Sequence, residues 1–320
     1  IFLKKNILIY YMIEKYLNNR FFILYLIPFI FGSLSVLSFE PFNLMVINFL
    51  ILPFVFYLLI YINKKSRSVY RKKPYRKNLF IFGLSFGFGF YLTGVSWITN
   101  SLTFDDNFKV LIPFAFILIP LFLSLFVGLI TLVVGPYLSF NFSSLCIFSA
   151  SIAFSDYLRS YILTGFPWNL WAYSTSSINE ILQIVNIIGL YSYNLLVITI
   201  YTLPVIIFFK MGKIKKLFSV LFTLSLILIL FLYGNYEINK NKIFLQKIEE
   251  KIYVKIISPN FELQYGLSDK DIEDRFRKLI RYSDPDKKKK TLFIWPEGVF
   301  SGYSYDQILT YKELIINNFS

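Results

Sequence analysis

Long apolar stretches constrain this chain more than any other feature. Seven of them, each of membrane-spanning length or nearly so, occur before residue 234. They cover residues 21–37, 44–62, 79–98, 110–134, 144–162, 181–209 and 217–233. The hydrophobic fraction of 56% also lies well above that of soluble domains. The sequence therefore predicts a polytopic α-helical membrane bundle of about seven spans over residues 1–234.

Basic residues concentrate in alternate connections between these stretches. The clusters comprise Lys4, Lys5, Lys15 and Arg20, then Lys64, Lys65, Arg67, Arg71, Lys72, Lys73, Arg76 and Lys77, and finally Lys210, Lys213, Lys215 and Lys216. The intervening connections at 38–43 and 99–109 hold almost none. The positive-inside rule puts the N-terminus in the cytoplasm and everything after residue 234 on the outer side. The net charge of +14 thus indicates topology and anionic lipid rather than nucleic acid.

One acidic and one basic residue stand together inside the fifth stretch. Asp156 and Arg159 are three residues apart, so they share one face of a helix. Ionisable groups in hydrocarbon are costly unless they satisfy each other, and they often mark function. Two interpretations remain open: a functional pair, or a pair that pins the helix at the outer interface.

An aromatic segment follows this pair at residues 163–173. Gly165 and Pro167 interrupt it too strongly for a span, and aromatic side chains with polar tips favour the membrane interface. Trp168 and Tyr173 could anchor a lipid headgroup, or the segment could simply form a belt around the bundle.

The composition changes after residue 234, where charged residues become frequent. Residues 252–258 and 291–295 are predicted strands, and Ser268 begins a helix with an apolar stripe between them. Strand, helix and strand over this distance form a βαβ unit with parallel strands. Pro296 ends the second strand, which places Glu297 just past its carboxyl end, where catalytic groups often collect. An acidic residue in an ordinary surface turn is the alternative.

Composition also excludes several kinds of chemistry. The chain has no histidine, which removes histidine acid–base catalysis and most zinc sites. Its one cysteine, Cys146, lies in a predicted span and is expected to serve in packing. We expect no metal site and no cofactor.

Several short motifs, taken in order, resemble those of the apolipoprotein N-acyltransferase family. They are Phe-Glu-Pro-Phe at 39–42, Gly-Phe-Gly-Phe-Tyr-Leu-Thr-Gly-Val-Ser-Trp at 87–97, Asp-Tyr-Leu-Arg at 156–159, Thr-Gly-Phe-Pro-Trp at 164–168, Ile-Gly-Leu-Tyr at 188–191 and Ile-Trp-Pro-Glu at 294–297. Each motif alone is weak, but their order together with the topology makes the match specific. The resemblance covers nearly the whole chain.

The resemblance implies a multi-pass bundle in the bacterial inner membrane, followed by a periplasmic nitrilase-like (αββα) domain. Residues 235–320 would be the start of that domain, which the chain leaves incomplete. The implied reaction moves a fatty acyl chain from a phospholipid to the N-terminal diacylglyceryl-cysteine of a lipoprotein, through a cysteine thioester. Glu297 matches the general base of a Glu-Lys-Cys triad. Arg159, Trp168 and Tyr173 are the candidate substrate-binding residues.

Three departures from the family pattern qualify these expectations. The triad's Lys and Cys fall beyond Ser320, so we expect this fragment to be C-terminally truncated and inactive. The Lys-Trp that the family usually carries after the first strand is absent from residues 258–267, and Asp156 stands where the family has Glu.

Two other functions remain open at this stage. A transporter or channel would use the spans and the Asp156–Arg159 pair, although it needs a polar path through the bundle. A membrane-bound amidase with another acyl donor would use the same strand-end carboxylate.

Overall fold

The computed structural model describes residues 19–69, 75–162, 165–248, 252–262, 267–286, 288–300 and 302–319. The basic residues predicted at 4–15 and 71–73 lie outside these ranges. The chain divides into two compact units between Lys240 and Asn241. The domain boundary predicted at residue 234 falls inside a continuous helix, so the apolar stretch and the first charged residues after it belong to one element.

Helices make up the first unit. The main ones are α1 (Ile27–Ser35), α2 (Asn48–Val69), α3 (Tyr75–Val95), α4 (Ile112–Val134), α5 (Phe142–Tyr161), α6 (Leu190–Thr202) and α7 (Lys213–Gln246). A π-helical turn at Phe22–Leu26 precedes α1, and single-turn helices at Asn179–Leu182 and Val185–Ile188 precede α6. Tight 3-10 segments connect the rest, among them Ser96–Thr103, Trp171–Thr175 and Leu203–Phe208.

Five helices of the described residues are long and apolar enough to cross a membrane. They are Met45–Ser66, Tyr75–Thr103, Asp106–Tyr137, Leu190–Phe208 and Lys213–Gln246. The prediction of seven spans is thus supported for five. The first predicted span is a shorter apolar helix, Phe22–Ser38. Helix α5 is not among the five, because its serines and its charged pair lower its hydropathy.

The predicted span at 181–209 was too long. Gly189 has a φ of 76°, which interrupts the helical backbone, and α6 begins directly after it. Hydropathy does not detect this break because the residues on both sides of the glycine are apolar.

Helices α3 and α4 pack closely where α3 carries a glycine. A Cβ at Gly83 would lie 2.0 Å from Oγ1 of Thr131 in α4, and that hydroxyl donates to the carbonyl of Leu79 at 2.9 Å. Glycine therefore lets a hydroxyl cross to the neighbouring helix, which satisfies it inside the bundle.

The second unit is a small α/β arrangement. Strand β1 (Tyr253–Ile256) pairs in parallel with β2 (Thr291–Ile294), and α8 (Asp269–Ser283) connects them. The predicted βαβ unit is therefore confirmed. Ser268 and Asp271 form a reciprocal capping box at the start of α8, whose Ile272, Phe276 and Leu279 are buried. Short helices α9 (Tyr305–Leu309) and α10 (Lys312–Phe319) follow. Two strands in the described residues do not by themselves establish a nitrilase-like domain.

Candidate functional site

Glu297 lies just beyond the carboxyl end of β2, where the sequence predicts it. The parallel ladder continues to a bond from Ile257 N to Ile294 O at 3.0 Å, and the chain then turns. Gly298, with a φ of 73°, adopts the left-handed conformation that the sharp exit requires. Glu297 itself is exposed, and its carboxylate makes no hydrogen bond or ion pair with the residues that the structure describes.

Helix α8 fixes the turn around Glu297. Arg275 donates from Nη1 to the carbonyl of Val299 at 2.8 Å and from Nη2 to the carbonyl of Glu262 at 2.9 Å. One guanidinium thus holds together the two loops that leave the ends of β1 and β2. Trp295 adds a second anchor, because its Nε1 donates to Oγ of Ser283 at 3.0 Å. The side chain of Glu297 is unconstrained, whereas its neighbours Trp295 and Val299 are tethered.

Sequence reasoning missed the role of Arg275. Its partners are backbone carbonyls, which every residue carries, so no residue pattern predicts these hydrogen bonds. Arg275 also lies on a helix with several other basic residues, so its position gave no further indication of this role.

Inside the first unit, Asp156 and Arg159 form a buried ion pair. Nη2 of Arg159 donates to Oδ1 of Asp156 at 3.1 Å, and the guanidinium lies over the ring of Tyr91 at 5.3 Å. Only 1% of the surface of Arg159 is exposed. A pair buried this deeply needs further hydrogen bonds to offset its desolvation, and both partners have them.

Arg159 also binds the aromatic segment through its second terminal nitrogen. Its Nη1 donates to the carbonyls of Phe166 at 2.5 Å and Trp168 at 2.7 Å. The guanidinium therefore fixes the backbone of this loop, and it has no exposed donor to offer a substrate. A direct contact of Arg159 with substrate stays a prediction that would require the loop to open.

Asn194 completes the buried network, and the sequence analysis did not single it out. Its Nδ2 donates to Oδ2 of Asp156 at 2.9 Å, while its Oδ1 accepts from the backbone amide of Ala172 at 2.9 Å. One side chain of α6 thereby connects α5 to the turn Trp171–Thr175. A polar residue in a long apolar helix was the available signal.

The loop that this network fixes contributes to an aromatic surface, which is formed by Trp97, Trp168 and Tyr173. Trp168 is 51% exposed and meets Trp97, which is 49% exposed, edge to face at 5.4 Å between ring centroids. Tyr173 is 36% exposed, and burial raises the pKa of its hydroxyl, which keeps it a neutral donor. The side chains of Trp168 and Tyr173 are thus accessible, whereas that of Arg159 is not. Residues 163–164 of the segment lie outside the described ranges.

The interior beside this network is closed rather than a polar path. A cavity of about 20 Å³, lined mainly by apolar side chains such as Phe86 and Phe148, reaches Asp156 and Ser155. A volume of this size holds about one water molecule. Among the described residues, this cavity therefore offers a transporter or channel no polar path.

The described residues contain no cluster of His, Cys, Asp or Glu that could hold a metal ion. The one cysteine, Cys146, is on α5 in the first unit, whereas Glu297 is in the second.

The first unit has the features of a helical membrane protein. It combines apolar helices of spanning length with a buried ion pair and a tethered loop that exposes aromatic rings. A sequence model of the apolipoprotein N-acyltransferase N-terminal domain matches residues 31–203, more than half of the chain. The chain therefore belongs to this family, as the motifs indicated.

Individual relatives agree with this assignment. Proteins named apolipoprotein N-acyltransferase are similar to this chain in Rhodopseudomonas palustris (26% identical over 281 residues, 84% of this chain and 50% of the relative) and in Agrobacterium fabrum (27% over 275 residues, 83% and 50%). A third, from Bradyrhizobium diazoefficiens, is 30% identical over 174 residues, or 54% of this chain and 31% of the relative. The chain thus spans about half the length of the curated relatives it matches.

Proposed function

We propose that this chain is part of an enzyme that moves a fatty acyl chain from a phospholipid to the N-terminal diacylglyceryl-cysteine of bacterial lipoproteins. One observation carries the proposal. The helical bundle belongs to the apolipoprotein N-acyltransferase family, and the parallel strand β2 in the same chain is followed by Glu297, whose carboxylate is free and exposed. The enzyme would act in the inner membrane, with its N-terminus in the cytoplasm and the α/β unit in the periplasm.

The proposed reaction has two halves. A cysteine thiolate attacks the ester carbonyl of the phospholipid, and the lysophospholipid leaves with a proton, which leaves a thioester. The α-amine of the acceptor then attacks the thioester carbonyl, and the thiolate departs. Glu297 would accept the proton from the thiol in the first half and from the amine in the second. A lysine would stabilise the oxyanion that forms in both.

Neither the thiolate nor that lysine is assigned among these 320 residues. Cys146 lies on α5 of the first unit, where its side chain is exposed, so the packing role expected from the sequence is not confirmed. We assign to this chain the base and the membrane bundle, and no further part of the triad.

The aromatic surface of the bundle would serve the lipid-linked substrates. Exposed rings with polar tips favour the boundary between hydrocarbon and headgroups. We therefore propose that Trp168 and Tyr173 contact substrate, while Arg159 acts as a positioning residue through the loop backbone. The described geometry supports this division because it exposes the first two side chains and buries the third.

The test is Glu297→Gln in the full-length protein that contains this chain. Glutamine keeps the shape and the exposed position but cannot take a proton. We expect acyl transfer from phospholipid to a diacylglyceryl peptide to fall by about 100-fold or more, the range of general-base catalysis. Glu313→Gln, an equally exposed glutamate of the same unit, is the matched control and should keep its activity. Equal activity of the two variants would remove Glu297 from the mechanism.

A further inference from the structure

Helix α7 contacts the rest of the first unit closely at two points. Near its middle, a Cβ at Gly234 would lie 1.7 Å from the carbonyl oxygen of Glu180, so two backbones meet there. Near its start, Nζ of Lys216 donates to the carbonyl of Ile207 at 2.6 Å. In the most apolar 18-residue stretch of α7, only 11% is buried inside the protein. In the corresponding stretches of the other four spanning helices, 28% to 56% is buried. The helix therefore stands away from the bundle between these contacts.

An apolar groove fills the space between the two contacts. Ile200, Leu203 and Pro204 line one wall, and Val220, Leu224 and Ile227 of α7 line the other. Its volume is about 430 Å³, within the range of ligand clefts.

The shape of the groove limits what can occupy it. The lining runs along α7 from Lys216 to Ile227, a length of about 18 Å at helical rise. Over this length the lining is almost entirely apolar, which suits a hydrocarbon chain that lies along α7.

A cluster of cations lies at one end of the groove. Lys216 lines the groove itself, and Lys210, Lys213 and Lys215 are exposed within the same seven residues. No aspartate or glutamate occurs between Glu180 and Glu237 in the sequence. Among the described residues, none of the four lysines forms an ion pair. The positive charge at the mouth of the groove is thus uncompensated.

We propose that this groove is a binding site for an anionic phospholipid. One acyl chain lies along α7, and the phosphate group meets Lys213 and Lys216. Basic pockets between spanning helices on the cytoplasmic side bind anionic headgroups in this way. The lysines are on the side that the positive-inside rule assigns to the cytoplasm, so the lipid comes from the cytoplasmic leaflet. It is a bound lipid distinct from the acyl donor, and the site does not depend on the proposed reaction.

The headgroup is tested with the full-length protein in nanodiscs. Retained phosphatidylglycerol and phosphatidylcholine, offered in equal amounts, are counted by native mass spectrometry. We expect the wild type to prefer phosphatidylglycerol, and Lys213→Gln with Lys216→Gln to lower that preference about thirty-fold, as two lysines near a lipid surface contribute. Lys213→Arg with Lys216→Arg should restore the preference. Arg76→Gln with Lys77→Gln removes two exposed charges elsewhere and should leave it unchanged.

The groove is tested with a substitution that fills it. Thr223 lies in the lining and Leu221 on the same helix does not, so Thr223→Phe should reduce retained phosphatidylglycerol at least tenfold while Leu221→Phe has no effect. The lipid-binding proposal is overturned if the glutamine variant keeps the wild-type preference. It is equally overturned if both phenylalanine variants retain lipid alike. Acyl transfer measured in the same samples reports separately on the proposed reaction.

Discussion

Asn194 offers the sharpest test of how the bundle is held together. The side chain is 0% exposed and joins three elements: its own helix α6, Asp156 on α5 and the backbone of Ala172. Asn194→Leu keeps the volume and removes both hydrogen bonds. Asp156 then keeps Arg159 as a partner but loses the donor to its second oxygen, and the amide of Ala172 is left buried without an acceptor.

The expected loss of unfolding free energy follows from these two bonds. A hydrogen bond to a charged group contributes about 1.5–3 kcal/mol, and an unpaired buried donor costs about 1–3 kcal/mol. Bonds between spanning helices average lower, about 0.6 kcal/mol, because the unfolded chain in the membrane also finds partners. We therefore expect Asn194→Leu to lower the unfolding free energy by about 2–4 kcal/mol.

Reversible unfolding in mixed micelles titrated with sodium dodecyl sulfate measures this quantity, with helix content followed by circular dichroism. Thr199→Val is the matched control, because Thr199 is a partly buried polar residue of the same helix whose hydroxyl, among the described residues, bonds only to the carbonyl of Leu195 one turn earlier. It should change the free energy by less than about 0.5 kcal/mol. If Asn194→Leu is no more destabilising than Thr199→Val, the proposed role of the buried network is refuted.

Two further predictions concern single side chains. Arg159→Lys keeps the charge but places all its donors on one nitrogen, which cannot occupy the two positions from which Nη1 and Nη2 bind the loop carbonyls and the carboxylate. Deuterium uptake at residues 165–170 should therefore rise about tenfold; unchanged uptake would contradict the role of Arg159 in fixing this loop. Hydrogen bonds from Ser268 hold the pKa of Asp271 below its ordinary value, so its contribution to α8 is present above pH 4 or so and is lost as the pH falls through the lowered pKa. Amide exchange across α8 should therefore rise on acidification, and Asp271→Asn should remove the part of that rise that this carboxyl causes.

Hydropathy identified most of the bundle because every backbone group in hydrocarbon must be satisfied within a helix, which leaves long apolar stretches in the sequence. Hydropathy was misleading at two places, where a helix ends without a change in polarity and where a helix carries polar residues. At Gly189 the backbone turns without any change in polarity. Residues 144–162 were predicted as a span, but the serines and the ion pair of α5 leave this helix less apolar than the five of spanning character.

The position of Glu297 was predictable because proline and glycine mark the end of a strand in the sequence itself. The contacts that hold it were not. Arg275 binds carbonyls of residues 13 and 24 positions away, which only the fold brings together. Asn194 likewise reaches Asp156 across 38 residues. Sequence patterns record local geometry, whereas these tethers depend on how the elements pack.

The mass of the enzyme itself gives the sharpest test of the proposed acyl transfer through a thioester that Glu297 helps to form. Full-length protein is incubated with phospholipid and no acceptor, and its cysteine peptides are analysed by mass spectrometry. The account predicts a long fatty acyl adduct on one cysteine of the wild type, an adduct greatly reduced in Glu297→Gln and unaffected in Glu313→Gln. A wild-type enzyme that transfers acyl chains without any such adduct, or a Glu297→Gln variant that forms it at the normal rate, would contradict the account.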